Sequence, residues 1–109
     1  MDTSYFARYK GSTGVSISAK SPVGWKGKEY KKLAPKYWFL MQYKEDRNKE
    51  HYIHHYKKEV LDKLDPQTVY DELGHDAVLL CYEKPSDFCH RHIVAEWLNE
   101  SLGLYISEL

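Results

Sequence analysis

Long apolar runs are absent from this chain. Nowhere do about 18 consecutive apolar residues occur, the least that a membrane-crossing helix needs, so no membrane partner is expected. Cysteine is scarce too. Cys81 and Cys89 are the only two, too few for a disulfide-built scaffold, and the simpler expectation is two reduced thiols in a cytoplasmic protein. The opening Met1-Asp2-Thr3-Ser4 has no basic segment leading into an apolar one, so no secretory leader is expected. Internal repeats and low-complexity stretches are missing as well. Net charge is zero, with 16 basic against 16 acidic side chains.

That zero hides an asymmetry. Residues 1–44 hold nine Lys or Arg and only Asp2 and Glu29 as acids, whereas residues 45–109 hold seven basic and fourteen acidic side chains. The first part can present positive charge to phosphates. The competing reading is that the two parts attract each other or are simply solvated. Ten tyrosines are many for 109 residues. Most fit the edge of a core, and a few could stack on a base.

The length fits one domain, residues 1–109. Its pattern reads as α/β: a small, mainly parallel sheet with packed helices in a Rossmann-like, three-layer arrangement. Residues 4–9 suit a strand by aromatic content, 10–14 a turn, and 15–18 a half-buried strand by alternation. Residues 21–28 read as a loop and 29–33 as a short helix stopped at Pro35. Residues 36–43 are a helix with Trp38, Met41 and Leu40 toward the core, or alternatively a strand. Ile53, Tyr56, Val60 and Leu64 share one helical face. Asp65 followed by Pro66 is a helix start, and Gly74 a helix stop. Residues 77–82 form the expected central strand. A last helix begins near Ser86 or Asp87, aligns His90, Val94 and Trp97, and ends at Gly103, with a strand at 104–107. This strand–helix–strand unit predicts a right-handed crossover and parallel strands.

Chemistry-bearing residues gather where the central strand hands over to that helix: Cys81, Glu83, Cys89, His90 and Arg91. In open α/β sheets, ligands bind beyond the carboxyl ends of strands. A helix start offers unpaired N–H groups and the positive end of its dipole. Arg91 adds a donor fork suited to phosphate, or else pairs with Glu83 or Glu96 and only closes the helix onto the sheet. His90 points inward and needs a partner, with Cys81 or Glu83 in reach, or a backbone carbonyl instead. A Cys–His or Glu–His pair could do acid–base or nucleophilic work, making Cys81, Glu83, Cys89 and His90 the catalytic candidates. Trp25, Lys26 and Lys28 could cover a bound nucleotide, or form an ordinary exposed loop. No metal and no cofactor are expected. A Cys-x2-Cys knuckle is missing, and adjacent Cys89 and His90 rarely both reach one ion. His51, His54 and His55 read as a solvated face.

The segments Leu80-Cys81-Tyr82-Glu83-Lys84 and Asp87-Phe88-Cys89-His90-Arg91 resemble the domain-of-unknown-function 488 (DUF488) family, whose pattern is a strand ending in Cys-x-Glu and a loop into Cys-His-Arg. Leu33-Ala34-Pro35 and the segment from Leu61 to Pro66 share the similarity, which covers most of the chain from Val15 onward. The resemblance implies a small cytoplasmic α/β domain and brings no established activity.

Two functions follow as expectations. One is binding of a phosphate-bearing small molecule, nucleotide-like, with turnover left open. The other is a non-enzymatic protein-interaction module, of phage or mobile-element type, in which the motif is structural. Nucleic acid is the less favoured partner, and self-association is left open.

Overall fold

The strand Val78–Cys81 is buried at every position and lies in the middle of a five-stranded sheet. Its run of Val, Leu and Leu suits a strand covered on both faces. In this computed structural model, which describes residues 1–84 and 86–109, the strands are β1 (Asp2–Tyr5), β2 (Gly14–Ser16), β3 (Lys28–Glu29), β4 (Val78–Cys81) and β5 (Ser107–Glu108). Their order is β3-β2-β4-β1-β5, and every pairing is parallel. The α/β fold expected from sequence is therefore present, and its sheet is parallel throughout.

The helices are α1 (Tyr37–Asp46), α2 (Lys49–Glu59), α3 (Pro66–Leu73) and α4 (His90–Leu102). Local chemistry explains their ends. The Asp65 carboxylate accepts from the Thr68 N–H at 3.0 Å, and Pro66 occupies the first helical position. Gly103 closes α4 in the left-handed region at φ 68°, where a side chain would be strained.

Helices α3 and α4 pack on each other, and α4 lies against β1 and β4. Both connections into and out of β4 run the same way across the sheet, so right-handed crossovers put their helices on one face. There Val15, Ile17 and Leu79 meet Phe39, Tyr56, Val69, Val94 and Leu98 in one core. The connections β1–β2 and β2–β3 run the opposite way and contain no helix. On their face, a side chain at Gly14 would meet Leu80, Trp25 and Tyr9, so this layer is built from loops.

Several local expectations are corrected. Strand β1 begins at Asp2 and stops at Tyr5, because Arg8 and Tyr9 turn back to bond the Tyr5 carbonyl. Residues 36–43 are helical, and Phe39 takes the core position while Trp38 is 51% exposed. In α2, Tyr52 and Tyr56 are buried, and Ile53 only partly so. The Tyr56 hydroxyl donates to the Leu33 carbonyl at 2.6 Å, which lets a phenol lie in the core. Helix α4 begins at His90, not at Ser86 or Asp87, because the Asp87 N–H closes a turn onto the Lys84 carbonyl first.

Candidate functional site

The strand order creates one special crevice. From β2 the chain leaves toward β3, and from β4 it leaves toward β5, on opposite sides. Neighbouring parallel strands whose connections diverge leave an opening between their carboxyl ends, the usual ligand position in such sheets. A cavity of about 170 Å³ lies there. Ser18, Ala19 and Lys20 line it after β2, and Cys81 lines it from the end of β4, with Tyr82 and Glu83 just beyond. Cys89 and His90 reach it from the start of α4, and Leu40, Tyr43, Lys44 and Tyr52 from α1 and α2.

An aromatic wall closes the helical side. Phe88 lies 5.2 Å from Tyr43 and 5.1 Å from Tyr52 between ring centres, and Tyr56 lies 5.5 Å from His90. Burial, and secondarily the Glu83 charge, holds the Tyr52 phenol above its usual range. It stays a neutral hydroxyl at ordinary pH.

His90 is buried, and its Nε2 lies 2.7 Å from the Ile17 carbonyl oxygen. A carbonyl can only accept, so Nε2 carries the hydrogen. Burial pushes the imidazole pKa down to about 4; the Ile17 bond opposes this, and the Arg91 and His92 charges add to it. The ring is therefore neutral, and Nδ1 keeps a free lone pair, 3.7 Å from Cys89 Sγ. Of the partners expected for His90, the backbone carbonyl is the one found.

Both cysteines join in a disulfide, Cys81–Cys89, with Cα atoms 7.2 Å apart. This corrects the expectation of two reduced thiols. The start of α4 folds back over the end of β4, bringing together sulfurs eight residues apart; a count of cysteines cannot reveal that. Cys81, Cys89 and His90, all buried, bring three possible ligand atoms within 4.8 Å of one another.

Arg91 has no exposed surface. Its Nε and Nη2 donate to the two carboxylate oxygens of Glu108 in β5 at 3.0 and 2.9 Å, and Nη1 donates to Cys81 Sγ at 3.2 Å. The partner is neither Glu83 nor Glu96, and the guanidinium meets an external anion only by giving up Glu108. Burial pushes the Glu108 pKa up, but the bonds from Arg91 and Thr3, with the Arg91 charge, outweigh this and leave it below the usual carboxylate range.

Glu83 is exposed and lines the cleft. Trp25, Lys26 and Lys28 do not reach it. Trp25 packs edge-on against Phe6 at 5.2 Å, Lys26 borders a separate depression on the loop face, and Lys28 Nζ donates to the Glu72 carbonyl at 2.6 Å. The cations at the cleft are instead Lys20 and Lys44, both exposed and, among the described residues, without a carboxylate within 4.0 Å. Ser18 was not a sequence candidate either. It is 5% exposed, lines the cleft, and its hydroxyl has no hydrogen-bond partner among the described residues. Only its place at the end of the alternating segment 15–18 hinted at it. His51 and His54 are exposed, and His55 packs on Trp38 at 4.8 Å.

Fold and cleft together define a parallel α/β protein with a strand-end crevice lined by Cys81, Glu83, Cys89 and His90, with Arg91 buried outside it. The family model DUF488-N3a, described as the active DUF488-N3 subclade, matches residues 7–102, and the chain belongs to the DUF488 family. No curated protein and no solved structure matches it significantly.

Proposed function

We propose that this protein binds a phosphate-bearing small molecule, nucleotide-like, in the cleft between the carboxyl ends of β2 and β4. The observation that carries the reading is Ser18, which lines the cavity and whose buried hydroxyl has no hydrogen-bond partner among the described residues. A buried hydroxyl without a partner is costly, and in a residue that lines a cavity a rotation about its Cα–Cβ bond would offer it to a ligand oxygen.

Three further features support it. The first turn of α4 opens onto the cleft with no side-chain cap on its N–H groups among the described residues, which suits an anion. Lys20 and Lys44 stand at the rim with no ion-pair partner of their own among the described residues. Tyr43, Tyr52 and Phe88 supply faces on which a base can stack. At about 170 Å³ the cavity is smaller than the roughly 300–1,000 Å³ of a fully enclosing pocket. It therefore takes the phosphate end, while the remainder lies across the open mouth. The word "active" in the description of the matched subclade agrees with a working site.

One observation favours the second reading, an interaction module in which the motif is structural. Cys81, Cys89, His90 and Arg91 already satisfy one another, Ile17 and Glu108. Calorimetric titration with nucleoside mono-, di- and triphosphates separates the two. Binding should weaken at least about tenfold in Lys20→Ala/Lys44→Ala, since each charge-assisted bond contributes about 1.5–3 kcal/mol. It should be unchanged in Lys26→Ala/Lys28→Ala. No heat with any of these ligands would favour the interaction module.

A further inference from the structure

We propose that, once reduced, Cys81, Cys89 and His90 hold one soft divalent ion of the zinc class, with an open coordination position facing the cleft. This inference is independent of any phosphate ligand.

Three candidate donors lie together, two of them now bonded to each other in the disulfide. Their ligand atoms lie within 4.8 Å of one another, and all three residues line the cavity. Around a tetrahedral zinc, sulfur and nitrogen ligands lie roughly 3.5–3.8 Å apart, given bonds of about 2.0–2.3 Å. Cys89 Sγ and His90 Nδ1 are at 3.7 Å, within that spacing. The Cys81 and Cys89 Cα atoms are 7.2 Å apart, beyond the roughly 4.4–6.8 Å usual for a disulfide. Small rotations about each Cα–Cβ bond would let the sulfurs share an ion instead of a bond.

The surroundings suit a metal ligand set. A ligating histidine usually donates its other ring N–H to a carbonyl or carboxylate, which fixes the ring and its lone pair. His90 does so through Nε2 to the Ile17 carbonyl, leaving Nδ1 free on the side of Cys89. Arg91 Nη1 donates to Cys81 Sγ at 3.2 Å, a contact that favours thiolate. Two thiolates and a dication sum to zero charge, so the buried assembly carries no net charge into the core. Three protein ligands with one position open is the arrangement of catalytic zinc sites, whereas structural ones are closed by four.

The chemistry balances. A dithiol reductant gives two electrons and two protons to the Cys81–Cys89 bond, forms two S–H groups, and leaves as its own disulfide. The ion then replaces the two S–H protons, which pass to solvent. Disulfide and metal are thus mutually exclusive states of the same two sulfurs.

The full chain, reduced with a phosphine, freed of it and kept anaerobic, is titrated with Co²⁺ alone. The expected result is about one Co²⁺ per chain, with sulfur-to-cobalt charge-transfer absorption and the intense visible bands of four-coordination, bleached by an equivalent of Zn²⁺. The disulfide-bonded chain, identical in sequence, should give no such bands. His90→Gln should weaken binding by more than about 100-fold while near-ultraviolet circular dichroism stays native. Absence of bands from the reduced chain overturns the proposal. So does their survival in the disulfide form or in Cys81→Ser/Cys89→Ser.

Discussion

The His90 ring is neutral in the folded protein because burial, against the partial support of Ile17, brings its pKa down to about 4. An unfolded imidazole titrates near 6.5. Between those values the unfolded chain binds a proton that the folded chain refuses. Stability from this group is therefore fully present above about pH 6.5 and is lost as pH falls toward 4. In the disulfide-bonded, metal-free protein the loss should reach about 2 kcal/mol by about pH 5, relative to about pH 7.5. Urea unfolding of the parent and of His90→Gln at both pH values measures it. Glutamine can still donate to Ile17 but does not titrate, so the variant should lack this loss. Equal pH dependence in both would show that the histidine is not held neutral. At this scale the sequence was informative about proximity: Cys81, Glu83, Cys89 and His90 line one cleft. Which carbonyl His90 would meet was not legible, because that of Ile17 has no signature in a side-chain pattern.

Strand β5 has two residues, too few to hold an edge by ladder bonds alone. Arg91 fastens it. The guanidinium reaches from α4 to both oxygens of Glu108, and Thr3 in β1 donates to the same carboxylate at 2.6 Å. Removing one partner of a buried ion pair leaves the other uncompensated, so Arg91→Ala should destabilise the fold by about 3 kcal/mol or more. Arg91→Lys should recover only part, since an ammonium cannot span both oxygens and Cys81 Sγ. Hydrogen exchange of the amides of residues 106–109, alongside urea unfolding, reads both effects. A loss below about 1 kcal/mol would place Arg91 among weak surface pairs. Elements with strong local chemistry were legible: the Asp65–Pro66 start of α3, Gly74, Gly103 and the apolar β4. Strands β3 and β5 are too short to show a period. The register of α1 was misread because Trp38 and Phe39 are both apolar, and only packing against Tyr52 and Tyr56 selects Phe39.

Across the whole molecule, the site depends on strand order, which no local pattern encodes. Divergence of the connections at β2 and β4 opens the cleft, and it brings Ser18 and Lys20 to the cysteines across more than sixty residues of chain. The same topology carries Trp25, Lys26 and Lys28 away from it, although they belong to the basic part of the sequence. Charge counted along the chain thus indicated a sign but not a place. A ligand held in the crevice between β2 and β4 should be visible in amide-resolved NMR of the full chain titrated with nucleoside phosphates. The largest shifts should fall at residues 18–20, 81–83 and 89–91, with residues 24–28 nearly unmoved. Shifts centred on residues 24–28, or none with any of these ligands, would contradict that placement.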